Sequence, residues 1–304
     1  MKTIKKLFFI LAPLFILFSL YLATRDGQFQ IEAHKDIEAP AELIDKEIPG
    51  ILRHTRSRLA GLLNATILSG TPENARDIPP GTAYLSWKID DTTTTAIRLT
   101  YRISGTRDFS GKFKALLGLE SGDQVKDILM HSLDSLDLRL RQMMNEYSIT
   151  PLGVTEYSGG FFVANTTTCT FDEIPARMDE MLPAVLFYCI GKEFPISGHP
   201  FTLYHRYDEA EKTAEFSCCV PVSERVTAEG DFNLGYMERG TYFKTRLKGS
   251  YRYSDEAWRK AFDFARKEGI EIDSKGKPFE VYVAGHSKSP NPADWITDIY
   301  LPVK

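Results

Sequence analysis

One segment of this chain is written twice. Pro200-Phe201-Thr202-Leu203-Tyr204 returns as Pro278-Phe279-Glu280-Val281-Tyr282, and Val220-Pro221-Val222 returns as Leu301-Pro302-Val303. An echo at so long a period means that one supersecondary unit is used twice, and two such units side by side leave a groove along their pseudo-two-fold seam. One difference inside the echo carries chemistry: Thr202 of the first copy is Glu280 in the second.

Each copy reads as strand, helix, strand, strand. In the second, Tyr242 to Leu247 is a strand, and Ser254 caps a helix with Asp255 and Glu256 in its first turn. Trp258, Ala261, Phe262 and Ala265 form that helix's buried face, and Arg266, Lys267 and Gly269 end it in keeping with the helix dipole. The strands Phe279 to Ala284 and Trp295 to Val303 follow, joined by a loop containing Pro290-Asn291-Pro292. In the first copy the corresponding pieces are Phe161 to Asn165, a helix capped by Thr170 with Glu173 three residues on, Phe201 to His205 and Glu215 to Val222. Ile174, Met178, Met181, Leu182 and Val185 give that helix an apolar face, and Pro183 is expected to kink it. The repeats span about 148–222 and 231–304.

A separate domain over 27–147 precedes them. Phe29 to Ile37 is a strand, Glu38-Ala39-Pro40-Ala41-Glu42 breaks it, and a short helix follows around Leu43 to Ile51. Ile97, Leu99, Tyr101 and Ile103 alternate with polar residues, the period of a sheet with one wet face. Ala83, Leu85, Trp87 and Ile89 supply the partner strand, and Asp90-Asp91-Thr92 the turn. Val125, Ile128, Leu129, Leu133, Leu136, Leu140 and Met143 line one face of a long closing helix, with Ser121 and Gln124 placed as a capping box.

The first 26 residues differ in character. Lys2, Lys5 and Lys6 precede Leu7 to Ala23, a run without a charge that reads as a membrane-targeting segment. Cleavage after Ala23 would set Tyr21 where signal peptidase prefers a small side chain, which favours an uncleaved anchor over a cleaved signal. The flanking lysines predict a cytoplasmic N-terminus, with the remaining domains outside, periplasmic or extracytoplasmic. With a cleaved signal the protein would be secreted.

At 304 residues the chain has room for roughly two domains of about 150 residues. A net charge of -4 offers no basic surface for nucleic acid. Cys169, Cys189, Cys218 and Cys219 fit no metal or redox spacing and read as buried thiols, with a Cys169–Cys189 bridge as the alternative. His34, His54, His131, His199, His205 and His286 show no metal-ligand spacing, and no GxSxG, HExxH or phosphate-loop motif occurs. No cofactor or metal is expected.

The order over 27–147, with Ile37-Glu38-Ala39-Pro40-Ala41-Glu42, Gly81-Thr82-Ala83-Tyr84-Leu85-Ser86-Trp87 and the closing helix, resembles the SRPBCC family, the START-like helix-grip fold. That resemblance implies a sheet wrapped around the last helix and an apolar cavity, full or reduced, beside which Leu116, Leu117 and Leu119 would lie. Gly249-Ser250-Tyr251 with Trp258, Pro278-Phe279-Glu280-Val281-Tyr282 and Thr297-Asp298-Ile299-Tyr300-Leu301-Pro302-Val303 resemble the GyrI-like effector-binding domain, also found attached to bacterial drug-sensing transcription regulators. The fold class expected is therefore α+β: an N-terminal membrane helix, a helix-grip domain, then a duplicated βαββ domain over 148–304. In the GyrI-like family a glutamate on a strand of the second unit contacts cationic or polar ligands, and the matching position is Glu280.

Strand alternation puts Phe279, Val281 and Val283 on one face, expected under the helices, and Glu280, Tyr282 and Ala284 on the groove face. Thr202 and Tyr204 join Glu280 and Tyr282 from the first copy, with Trp295, Tyr242 and Tyr251 as further candidates. A carboxylate among tyrosines suits an organic cation, and burial that raises its pKa would equally suit a general base. Three functions follow: a membrane-anchored receptor for a small amphipathic or cationic molecule, a hydrolase of small organic molecules with Glu280 as base, or an interaction module whose groove is filled by its own side chains. No helix-turn-helix pattern remains unassigned, so regulation would act through a partner.

Overall fold

The computed structural model describes residues 14–24, 27–72, 78–91, 96–116 and 122–304. The chain divides into two compact units, Met1–Gln142 and Met143–Lys304.

In the first unit a four-stranded sheet has the order β1-β4-β3-β2. Its strands are β1 (Gln28–Ile37), β2 (Thr66–Ser69), β3 (Thr82–Asp91) and β4 (Ile97–Thr106). The pair β2–β3 is parallel and the others are antiparallel. Leu99, Tyr101 and Ile103 of β4 are fully buried, as the alternation requires. Helix α1 (Ala41–Leu63) is far longer than the sequence suggests. Pro49 and Gly50 are poor helix formers, yet Leu43, Ile44, Ile48, Leu52 and Leu59 keep one buried face through them, so packing overrides local propensity. After the short α2 (Phe109–Leu116) comes α3 (Gly122–Met144). Its Ser132 hydroxyl meets Thr55 of α1 at 2.7 Å in the interior. Ser121, Leu117, Leu119 and Thr92 lie outside the described residues, and Leu116 is exposed.

The fold is mixed α+β with two sheets, and the membrane helix is a correction to it. Among the described residues no helix is long and apolar enough to cross a membrane. Helical residues 14–24 include the described part of the apolar run, and Leu14, Phe15, Ile16, Leu17 and Leu20 on it are exposed. Leu22 is 1% exposed, and Phe18 packs edge-on against Phe113. The start of the apolar run and its lysines lie outside the described residues. The single-pass, outward-facing localisation therefore loses its basis.

The second unit is one eight-stranded sheet, β5-β10-β12-β11-β7-β8-β6-β9. Its first copy is β6 (Gly160–Thr170), α4 (Ile174–Gly191), β7 (Phe201–Asp208) and β8 (Thr213–Val222). The second is β10 (Gly240–Lys248), α5 (Ser254–Lys267), β11 (Phe279–Ala284) and β12 (Ile296–Pro302). The copies meet at the antiparallel pair β7–β11, where Glu280 stands opposite Thr202. A capping box of Thr170 and Glu173 opens a 3-10 turn that leads into α4, and α4 continues through Pro183. Ser254 is the first residue of α5, and the side-chain cap lies earlier, where Ser250 accepts the Arg252 amide.

The outer strands are exchanged. β5 (Ser148–Tyr157) runs directly into β6 but pairs with β10 of the other copy, while β9 (Asn233–Met237) runs into β10 but pairs with β6. Where the two connections cross, Gly159 has φ +69, and a Cβ there would lie 2.2 Å from the Met237 carbonyl oxygen. Only glycine lets these backbones pass. Arg239 and Glu156 form an ion pair at the same crossing.

Candidate functional site

The helices and the apolar row of β11 lie on opposite faces of the sheet, the reverse of the expected arrangement. Phe279 and Val281 join Phe201, Leu203, Tyr242 and Tyr300 in an apolar cluster on the face away from α4 and α5. Both faces of this sheet carry a core, so alternation alone could not say which row lay under the helices. Glu280 and Tyr282 point instead toward the helices, where they meet Trp258 of α5 and Met178 of α4.

Glu280 is 3% exposed. Its Oε1 accepts the Tyr282 phenol at 2.8 Å and the Tyr204 phenol at 3.1 Å, and its Oε2 accepts the Trp258 indole N–H at 3.1 Å. The Thr202 hydroxyl lies 2.9 Å from the Tyr282 oxygen. With the phenolic proton committed to Glu280, that oxygen accepts from Thr202. Tyr251 packs edge-on against Tyr282 at 5.6 Å and tilts against Trp295 at 4.7 Å. Tyr204 meets Trp258 edge-on at 5.3 Å.

The Glu280 carboxyl accepts from two phenols and an indole, all of them neutral donors, and Asp255 acts on it from nearby. Burial pushes its pKa up, the hydrogen bonds from Tyr282, Trp258 and Tyr204 pull it down, and Asp255 pushes it up further; the net direction is upward. Burial, with Glu280 adding to it, pushes Tyr204 and Tyr282 well above the usual phenol range and Tyr251 up to about 12. The Cys218 thiol is pushed up to about 12 by burial, with Thr202 opposing and Glu280 reinforcing. A protonated phenol can donate to the carboxylate and still offer its ring face to a cation, the combination that favours organic cations.

The structure thus brings together Glu280, Tyr282, Tyr204 and Thr202, with Tyr251 beside them and Trp295 one ring further out. Tyr242 lies on the opposite face of the sheet, within the apolar cluster. Trp258 is the residue that sequence reading assigned to the helix core. Ala257, Ala261 and Ala265, spaced by four, are the residues α5 buries, and Phe262 is 42% exposed. That stripe of small side chains is the available signal: it lets α5 lie close to the sheet, so the neighbouring indole reaches the strand. All four cysteines are buried free thiols. Among the described residues no cluster of histidine, cysteine and carboxylate side chains could hold a metal ion. His205 is engaged with Ser217 at 2.6 Å and with Lys277 at 3.1 Å.

Residues 162–304 match the GyrI-like small molecule binding domain. This small-molecule-binding fold is found in effector-binding transcription regulators. The GyrI-like match does not extend to the first unit, so the START-like resemblance there gains nothing from it. No curated protein sequence matches the chain at a significant level. Among solved structures, the chain is similar to the EcmrR C-terminal domain, with 19% identity, a TM-score of 0.45, and coverage of 52% of this chain and 98% of that one. It is similar to EcmrR in a complex with DNA, with 16% identity, a TM-score of 0.46 and coverage of 86% and 98%. It is also similar to SAV2435 bound to tetraphenylphosphonium, with 12% identity, a TM-score of 0.37 and coverage of 52% and 94%.

Proposed function

We propose that the GyrI-like domain is a receptor for a small amphipathic organic cation, with Glu280 supplying the charge and Tyr204, Tyr282, Tyr251 and Trp258 the aromatic walls. One observation carries this reading: a carboxyl group 3% exposed that accepts from three neutral donors, with no ion pair to it among the described residues. Isolated buried carboxylates are costly unless paired, and an entering cation is the partner that this site lacks. Cation–π contacts with the surrounding rings add about 0.5–2 kcal/mol.

The site is closed as it stands, because Trp258 of α5 bonds Oε2. Entry therefore requires the indole to swing away from Glu280, exchanging one hydrogen bond for the charge of the ligand. The hydrolase reading draws on the same raised carboxyl. It needs a water within reach of a free carboxylate lone pair; Oε1 already accepts two phenols and Oε2 only the indole, so such a water would have to sit at Oε2 beside Trp258.

Titration with tetraphenylphosphonium as probe, followed by tryptophan fluorescence, tests the proposal against triphenylphosphine oxide, a neutral aromatic of similar build. Saturable quenching by the cation and none by the oxide is the expected result. Equal responses to both would refute a charge-selected site.

A further inference from the structure

The two walls of the Glu280 site that belong to neither central strand are carried on one short piece of backbone. Tyr251 opens the 3-10 turn Tyr251–Tyr253, that turn leads into α5, and Trp258 follows one turn into the helix. A ligand that takes the place of the indole beside Glu280 and lies along Tyr282 presses on both walls, so this piece has to shift as a unit.

What holds the piece is a strut from elsewhere in the chain. Tyr147 stacks flat on Tyr253, with 3.7 Å between ring centroids and 13° between planes. The Tyr147 phenol donates to Glu256 at 3.0 Å, the Tyr253 phenol donates to the Asn145 carbonyl at 3.1 Å, and the Arg252 guanidinium donates to the Met144 carbonyl at 3.4 Å. Just before the turn, Gly249 lies so close that a Cβ there would be 2.5 Å from the Tyr147 Cβ. Residues 144–147 are thereby tied to residues 249–256.

The first copy has no counterpart. Its own 3-10 turn, Phe171–Glu173, leads into α4 from Ile174 as the other leads into α5 from Ser254. Asp172, Glu173 and Ala176 therefore stand where the second copy has Arg252, Tyr253 and Glu256. Glu173 is committed to the Thr170 cap, and the Ala176 side chain has no acceptor. The strut is not a requirement of the repeat; it acts on the one helix whose side chain closes over the carboxyl group. Met143 is the first residue of the second unit, so the strut is also the stretch by which the chain enters that unit from α3.

We infer that residues 144–147 are a clamp that holds α5 closed over Glu280, and that a ligand at that site releases it, so that occupancy is signalled to the point where the chain passes between the units. The inference rests on the receptor reading of the Glu280 site. A ligand shifts an equilibrium only by its differential affinity for two states; the closed state has the clamp and the Trp258 bond, and the open state has the ligand. Linkage makes the effect reciprocal: loosening the clamp tightens binding by the same factor by which binding loosens the clamp.

Tetraphenylphosphonium is titrated into the full chain and into Tyr147→Ala, Tyr147→Phe and Gly160→Ala, with tryptophan fluorescence reporting binding and hydrogen exchange reporting residues 143–147. Tyr147→Ala removes the stack and the bond to Glu256, Tyr147→Phe removes the bond alone, and Gly160→Ala strains the backbone at the strand crossing. The results expected are an affinity higher by about fivefold or more in Tyr147→Ala, a smaller gain in Tyr147→Phe, no gain in Gly160→Ala, and faster exchange over 143–147 of the wild type once the cation is saturating. Binding of the cation with exchange over 143–147 unchanged, or with equal affinity in the wild type and both Tyr147 variants, would overturn the clamp and leave the receptor reading standing. A like gain in Gly160→Ala would overturn it too, by reducing the effect to a general loosening. No binding to the wild type or to Tyr147→Ala would overturn both readings.

Discussion

Glu280 and Thr202 occupy the same position in the two repeats and stand directly opposite each other in the β7–β11 pair. The pseudo-two-fold axis therefore runs between them. A faithful repeat would put two like residues face to face there, and two glutamates would be two carboxylates in direct cross-strand contact, which is destabilising. Threonine on one side removes that repulsion. Its buried hydroxyl, through the Tyr282 phenol, also becomes part of the hydrogen-bond set that holds the remaining carboxylate.

The Glu280 charge should make stability fall with rising pH. Burial raises the folded-state pKa despite the donors from Tyr282, Trp258 and Tyr204, while an unfolded glutamate titrates near about 4.3. Between those two values the native state keeps a proton that the unfolded state has released. The stabilising contribution is complete below the unfolded value and declines as pH rises through the folded one. Thermal midpoints of wild type and Glu280→Gln should coincide near pH 4, and the variant should be the more stable at pH 8. A gap that is the same at both pH values would contradict this.

Asp298 should show the opposite slope. Its side chain is 2% exposed and is held by Arg246 through both oxygens at 2.7 and 2.8 Å, with Lys244 at 2.8 Å. Burial acts to raise its pKa, but the bonds from Arg246 and Lys244 outweigh burial and the net direction is down. Its contribution is present above the unfolded value of about 3.9 and is lost as pH falls through the folded one. Asp298→Ala, which leaves two cations beside a buried site, should cost about 3 kcal/mol at pH 7. Urea unfolding at pH 7 and at a series of pH values stepped down below about 3.9 checks both the cost and its decline in acid.

The crossing of the exchanged strands should depend on one glycine more than on its neighbour. Gly159 and Gly160 both have positive φ, but a Cβ at Gly160 meets nothing within 4 Å, whereas one at Gly159 meets the Met237 and Arg239 backbones. Gly160→Ala should cost about 1–2 kcal/mol from conformation alone. Gly159→Ala should cost more, because backbone atoms have to move. Equal midpoints for the two variants in chemical unfolding would argue against a tight crossing.

The duplication was legible in the sequence because the echoed residues form the central strands, whose apolar rows have to match on both sides of the axis. The clustering of Glu280, Tyr282, Tyr204 and Thr202 followed from two-residue alternation and that echo. The strand exchange was not legible, since β5–β6 and β9–β10 are short connections that read as ordinary hairpins, and pairing with the other copy is a tertiary choice. Trp258 was hidden because an indole on an amphipathic helix satisfies the pattern of a core residue equally well. For the apolar run Leu7 to Ala23 hydropathy and structure part: among the described residues no helix is long and apolar enough to cross a membrane, and of the described part of the run Leu22 is buried while Leu14, Phe15, Ile16, Leu17 and Leu20 are exposed.

The most direct test of the account is the affinity of tetraphenylphosphonium for wild type and for Glu280→Gln, compared by calorimetric titration at pH 7.5. The amide keeps the size of the carboxylate and removes its charge; with its oxygen kept toward the two phenols, its NH2 faces the Trp258 indole N–H in place of the acceptor Oε2. Loss of at least about tenfold in affinity, ~1.4 kcal/mol, with an unchanged fold is the result expected. Equal affinity in the two proteins would show that the buried charge is not what a ligand comes to this site for.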